Sequence, residues 1–225
     1  MAERLLVLGN KKYSSWSLRA WIGLQMAGVP FREAVIKLFR PQTGAEIRRY
    51  SPAGRVPILI DETPQGAVTV HDSLAILEYV NETYAEGRLW PADPGLRAVA
   101  RAVSAEMHAG FTALRARLPM NMARPPAPLP ARWAVDSATQ GEIDRILSLW
   151  ATLLTRSGGP FLCGEWSIAD CMYLPVATRL RTYAIPLDGS PPVRAYVERL
   201  LALPAFQRWE ADGRAEPEEH ADYAR

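Results

Sequence analysis

The chain has 225 residues, 48% of them apolar, enough for a sizeable core in one large domain or two small ones. Its 26 basic and 24 acidic residues leave a net charge of +2, a balance that offers no strong field to nucleic acid or to an anionic membrane. No apolar run approaches the roughly 18 residues needed to cross a bilayer, and the opening MAERLLVLGNKKY has too short an apolar run for a secretory leader, so a cytoplasmic setting is expected. Cys163 and Cys171 lack CxxC spacing and metal-ligand neighbours. They read as reduced thiols with no metal site, a Cys163–Cys171 disulfide being the alternative.

Taken in chain order, Arg4 to Leu8 is a short apolar run that suits a buried strand. Gly9 to Tyr13 is a polar loop. Leu18, Trp21, Ile22, Gly23 and Met26 then recur at helical spacing, and Gly28 stops that helix. Phe31 to Leu38 alternates as a second strand does. Pro41 to Tyr50 is polar and reads as a loop with an irregular helix. Pro57–Ile60 and Ala67–Val70 form a hairpin around Asp61–Gly66. Leu74, Ile76, Leu77 and Val80 mark one face of a helix. The order is βαβ followed by ββα.

GRLWPADPG, from Gly87 to Gly95, carries two prolines and two glycines and marks a linker over residues 85–95. Beyond it the texture changes. Segments 96–118, 134–157, 168–183 and 191–203 all look helical, with no persuasive strand. The pattern predicts an α/β domain over residues 1–84 and an all-α domain over 96–225. Residues 122–133 (MARPPAPLPARW) have Pro-x-x-Pro spacing and read as an inter-helix loop, or else as a polyproline ligand. The polar tail from Arg214 is expected on the surface.

Three places carry possible chemistry. Ser14 and Ser15 stand just before the first helix, in KKYSSWSLRAW. One reading is a helix N-cap. The other uses the same geometry to hold a thiolate, with a hydroxyl and free N–H groups at the positive helix end. A free thiol titrates near about 8.5, and lowering that by two units takes roughly 2.7 kcal/mol. A charge-assisted hydrogen bond of about 1.5–3 kcal/mol plus a helix dipole of about 0.3–1 kcal/mol is sufficient. Next, Val56-Pro57 is either a trans proline opening an edge strand or a cis turn. The cis turn would expose the Val56 N–H and C=O to an extended peptide. Last, Asp72-Ser73 is either plain capping or a grip on the amino-acid end of a ligand. In that grip Ser73 takes a carboxylate and Asp72 an ammonium.

The order of these sites resembles the N-terminal domain of the glutathione S-transferases, which is thioredoxin-like. YSSWSLRAWIGLQMAGV is similar to the first-helix region of the zeta-class enzymes, where a Ser-Ser pair precedes an arginine by five and four residues. Ser14 and Ser15 precede Arg19 in the same way. GRVPILID and HDSLAILEYV resemble the family's Val-Pro and acid-Ser signatures, and RLWPADP its interdomain linker. The resemblance covers essentially the whole chain, bacterial members of the family included. Ser167-Ile168-Ala169-Asp170 fits a capping box that recurs in the family's C-terminal domain; it is folding chemistry.

The resemblance implies a thioredoxin-like domain that binds glutathione as co-substrate, a second all-α domain, no metal, and a homodimer. Ser14 would activate the sulfur, with Ser15 second and Tyr13 third. Val56 would hold the cysteinyl backbone, Asp72 and Ser73 the γ-glutamyl end, and Arg55 or Gln42 the glycyl carboxylate. One departure stands out: where zeta-class motifs place a cysteine after the serine pair, this chain has Trp16. That puts in doubt isomerase chemistry relying on the cysteine, and it sets a large ring at the mouth of the site. Glu106-Met107-His108 resembles a Glu-x-His of beta-class transferases whose histidine lines the cleft. Trp16, Met107, His108, Phe111 and Arg115 are therefore the candidates for a hydrophobic second-substrate site, with core packing the alternative for Phe111.

The expected function is a transferase that presents the glutathione thiolate to a small hydrophobic electrophile. Glutathione-dependent isomerase or peroxidase action is one alternative. A non-catalytic binding module of the same fold is the other.

Overall fold

A computed structural model of the chain describes residues 3–131 and 134–223. Strand β1 (Arg4–Gly9) is buried on both faces: Leu6 and Leu8 enter the large core, and Val7 faces a smaller one. After helix α1 (Ser15–Met26), strand β2 (Arg32–Ile36) pairs with β1 in parallel. Strands β3 (Ile58–Thr63) and β4 (Gly66–His71) add antiparallel, giving the order β2-β1-β3-β4. Their pairing runs out to Thr63↔Gly66, so the turn is tighter than the expected Asp61–Gly66.

Helix α2 (Thr43–Arg48) is the irregular helix expected within 41–50; it brings Ile47 against Val7, Ile36 and Ile58 on one side of the sheet. On the other side lie α1 and α3 (Ser73–Thr83). These two helices approach so closely that a Cβ on Gly23 would stand 2.0 Å from Leu77 Cδ2. Any larger residue there would have to displace the Leu77 side chain.

The rest is helical: α4 (Pro94–Ala109), α5 (Thr112–Arg117), α6 (Ser137–Ser157), α7 (Ile168–Thr182), α8 (Pro191–Ala202) and α9 (Pro204–Ala215). The architecture is a thioredoxin-like α/β unit followed by an all-α one, as the sequence predicts. Helix α7 is its central post, buried along almost its whole length. The capping box expected at its start is present. Asp170 is fully buried and accepts four hydrogen bonds: from the Leu162 and Ser167 N–H groups (3.1 and 2.9 Å) and the Ser167 and Tyr196 hydroxyls (3.0 and 2.9 Å). Burial pushes its carboxyl up to about 6, against the pull of these donors.

Two expectations change. The helix predicted over 96–118 is two, broken at Gly110 and at Phe111, whose φ of 54° is left-handed. A helix α9 that periodicity did not flag starts on Pro204, whose missing N–H costs nothing at a first turn. The tail from Arg214 lies on the surface as expected; it completes α9 and then folds back on the α/β unit. Of the loop 122–133, the described residues are strapped down by Arg124, whose guanidinium donates to the carbonyls of Ala127 (2.9 Å) and Thr182 (2.6 Å). Its last two residues, 132–133, and the last two of the tail, 224–225, lie outside the described residues. Cys163 and Cys171 are free, buried thiols. Burial pushes Cys163 up to about 12 and Cys171 well above its usual value. No helix among the described residues is long and apolar enough to cross a membrane.

Replacing Asp170 with alanine strands several buried donors at once. The expected loss is roughly 3 kcal/mol of unfolding free energy, read as a lower urea midpoint at unchanged slope.

Candidate active site

A cavity of about 880 Å³ lies between the N-termini of α1 and α3, the Val56-Pro57 turn, and residues of α4, α5 and α7. Each wall follows from local chemistry.

Ser14 has extended backbone (φ −83°, ψ 92°) and caps α1. Its Oγ accepts from the Ser17 N–H (3.2 Å) and donates to Ser17 Oγ (2.8 Å), which also accepts from the Gly9 N–H (3.0 Å). The capping reading of Ser14 is therefore realised. Ser15, the first helical residue, faces the same cavity, and its hydroxyl meets no hydrogen-bonding partner among the described residues. The Trp16 N–H is likewise open, as the second N–H of a helix normally is.

The Val56-Pro57 peptide is cis. Val56 and Arg55 both line the cavity, and no other described residue hydrogen-bonds the Val56 backbone. Asp72 has a left-handed φ of 81°, unusual for a non-glycine residue. That twist lets one carboxylate oxygen cap the N–H groups of Leu74 (2.9 Å) and Ala75 (3.3 Å) while the other meets His108 Nε2 at 3.2 Å. Ser73 follows, fully buried, on the cavity wall, its Oγ without a partner. A buried hydroxyl left unpaired costs free energy that a ligand oxygen would recover.

The opposite wall differs from expectation. Trp16, His108 and Arg115 line it, but Met107 and Phe111 do not. Met107 points about 100° round the helix from His108 into the core. Phe111 is buried against Tyr173, ring centroids 6.5 Å apart. Gln42 is exposed at the start of α2 and lies off the cavity. Tyr13 lines the cavity, but its hydroxyl donates to the Glu218 carbonyl (3.0 Å).

The wall carries cations beside the apolar Trp16, Pro119 and Met120. Arg179, from α7, faces the cavity, its guanidinium tied to the carbonyls of Leu118 (2.8 Å) and Pro175 (3.0 Å). Arg115 reaches the His108 carbonyl (3.4 Å). Beneath them Arg19 is fully buried and none of its three nitrogens is hydrogen-bonded among the described residues. It stacks on the Trp16 ring at 4.6 Å, with Arg115 at 5.4 Å from the same ring. Burial, then the charges of Arg179 and Arg115, push Arg19 down to about 9; burial takes Arg179 to about 10 and lowers Arg115. None of the three has a carboxylate within ion-pair distance among the described residues. Sequence reasoning used Arg19 only as a spacing marker and missed Arg179. The signal was a charged residue inside the apolar run of Ile168–Leu180. Among the described residues no cluster of metal-ligating side chains occurs.

Residues 13–83 match the family model described as glutathione S-transferase, N-terminal domain, and residues 97–199 the one for the C-terminal domain. A rat protein named maleylacetoacetate isomerase is 30% identical over 86% of this chain and 87% of its own. An Arabidopsis thaliana protein named glutathione S-transferase Z2 is 26% identical over 88% of each. A crystal structure of a glutathione transferase homolog from Burkholderia, with bound glutathione, superposes with a TM-score of 0.70 at 25% identity, covering 95% of this chain and 100% of that one.

Arg19→Met removes a buried, unpaired charge while keeping most of the side-chain volume. It is expected to raise unfolding free energy by about 1–3 kcal/mol, measured by urea denaturation without ligand. A fall would mean that the guanidinium contributes more through Trp16 than it loses by burial.

Proposed function

The chain belongs to the glutathione S-transferase family, and we propose that it is a glutathione-dependent enzyme acting on a small electrophile that carries negative charge. The observation that carries this is the convergence of two helix N-termini and an unpaired buried hydroxyl, Ser73 Oγ, on one cavity with the Val56 backbone between them. The residues present suit glutathione. Val56 would pair with its cysteinyl backbone, and Ser73 and the start of α3 with the γ-glutamyl carboxylate, Asp72 taking the ammonium. Arg55 is available to the glycyl carboxylate.

Glutathione supplies the nucleophilic thiolate. The N-terminus of α1 would hold it in that state, by the dipole, the open Trp16 N–H and a serine hydroxyl. Ser15 is the better donor, because the Ser14 hydroxyl is already spent between Ser17 N–H and Ser17 Oγ. Arg115 and Arg179 would seat the negative charge of a second substrate whose body lies on Trp16, Pro119 and Met120. Catalysis is then thiol activation and positioning.

The second reading is isomerisation of an acidic substrate, as the names of several relatives indicate for those proteins. The arginine pair favours it. Trp16, standing where zeta-class motifs have cysteine, weighs against it. A division of the chain at residues 85–95, a homodimer and a cytoplasmic setting complete the proposal, supported by the family alone.

Ser15→Ala is expected to lower kcat about 10- to 100-fold with glutathione affinity within a few fold, the value of one charge-assisted hydrogen bond. Ser14→Ala is expected to cost about 1 kcal/mol of stability through the lost cap and less rate. Steady-state kinetics with the two variants decides; a larger rate loss for Ser14→Ala would exchange their roles.

A further inference from the structure

Between Lys37 and Ile60 the chain carries five cations, Lys37, Arg40, Arg48, Arg49 and Arg55, against one acid, Glu46. Lys37 and Arg40 are paired with Glu218 (2.8 and 3.3 Å). Arg48 and Arg55 are exposed, and neither has a hydrogen bond or an ion pair among the described residues. Glu46 does not serve Arg48, because residues two apart on a helix do not face each other.

Arg48 ends α2, where its charge could lie on the open carbonyls of the last turn. It turns the other way. Its Nη2 lies 3.3 Å from the Cβ position of Gly44, back toward the start of the helix, and its Nη1 lies 3.6 Å from that of Gly54. Gly54 lines the cavity together with Ala53, Arg55 and Val56. Its φ of 65° suits glycine, and with no side chain there the Arg48 guanidinium packs directly on backbone that lines the cavity. Two unpaired guanidiniums therefore stand at one end of the cavity, Arg55 on its wall and Arg48 against the adjoining backbone.

Where Val56 pairs with the cysteinyl backbone of a thiol peptide, the residue after that cysteine falls at this end. A glycyl carboxylate occupies one guanidinium and leaves the other without a partner. We propose that Arg48 and Arg55 form a dicarboxylate subsite, so that the favoured thiol co-substrate is a γ-glutamyl-cysteinyl peptide with an acidic third residue. Arg55 takes the α-carboxylate and Arg48, the specificity-determining residue, takes the side-chain carboxylate. The proposal rests on the thiol-peptide reading of the cavity and narrows its ligand.

Isothermal titration calorimetry on the full chain tests it with three reduced peptides: γ-glutamyl-cysteinyl-glycine, γ-glutamyl-cysteinyl-glutamine and γ-glutamyl-cysteinyl-glutamate. The last two have the same size and differ by one charge. The glutamate peptide is expected to bind about three- to fivefold more tightly than the glutamine peptide, the upper range for a solvent-exposed ion pair. Raising potassium chloride from about 0.05 to about 0.5 M should bring that ratio toward one, and so should Arg48→Gln. Equal affinities for the two peptides in the wild type overturn the proposal, as does a ratio that survives Arg48→Gln. Binding of the glycine peptide without any preference for the glutamate one removes the subsite and leaves the glutathione reading standing. Failure of all three peptides to bind removes both.

Discussion

Everything in the site depends on where the first turn of α1 is held. A helix end can bind an anion only if its N–H groups are capped in part and left open in part. The sequence achieves this with adjacent serines and a third two residues on. Ser14 closes the Ser17 N–H, Ser17 ties the turn to Gly9 at the end of β1, and the Trp16 N–H and Ser15 hydroxyl stay open. The lateral position is as tightly set. At Gly23 α1 meets α3 through Leu77, and Cys171 of α7 lies 3.5 Å from the same Cβ position. A shift of α1 would separate its N-terminus from that of α3, and the two would no longer share a ligand.

The second constraint is charge. Arg19 lies one turn into the same helix, on the Ser15 side, buried and without a hydrogen bond. Arg115 and Arg179 arrive from α5 and α7, so three like charges share one region with no paired carboxylate among the described residues. Burying such charges opposes folding, and the surrounding core must offset it. The arrangement makes sense where the site spends its working life holding anions: each negative ligand group lowers a cost that the free protein carries. On the proposed reading, stability in the empty state is given up for affinity in the filled one, a common trade at binding sites.

Much of this was legible in the residues. Alternation and helical spacing located β1 to α3 because each element buries one or both faces, so periodicity tracks packing. The Asp72-Ser73 and Ser14-Ser15 pairs were legible because caps are local. The misses were non-local. Met107 was placed at the site by resemblance and helical spacing, yet rotation about α4 turns it into the core; for Phe111 the core-packing alternative holds, at a left-handed break. Arg179 reaches the cavity only because α7 crosses behind α1, which no local pattern reports. The tail is on the surface as its polarity suggests, but what it binds there was not legible: Lys11, Lys12, Lys37 and Arg40 lie more than 170 residues away.

The two halves of the cavity are not independent. Asp72 both caps α3 and meets His108 Nε2; the His108 ring stands edge-on to Trp16 at 5.2 Å; Trp16 stacks on Arg19. This is one chain of contacts from the γ-glutamyl end of the proposed glutathione site to the arginines of the second-substrate wall. Any change in how Asp72 is used moves His108, and through it the face of Trp16 that a second substrate would touch. If the proposed electrophile site is right, its preference cannot be tuned at Trp16 without altering the hold on the first ligand. The tryptophan in place of a cysteine is therefore a change of architecture as well as of chemistry.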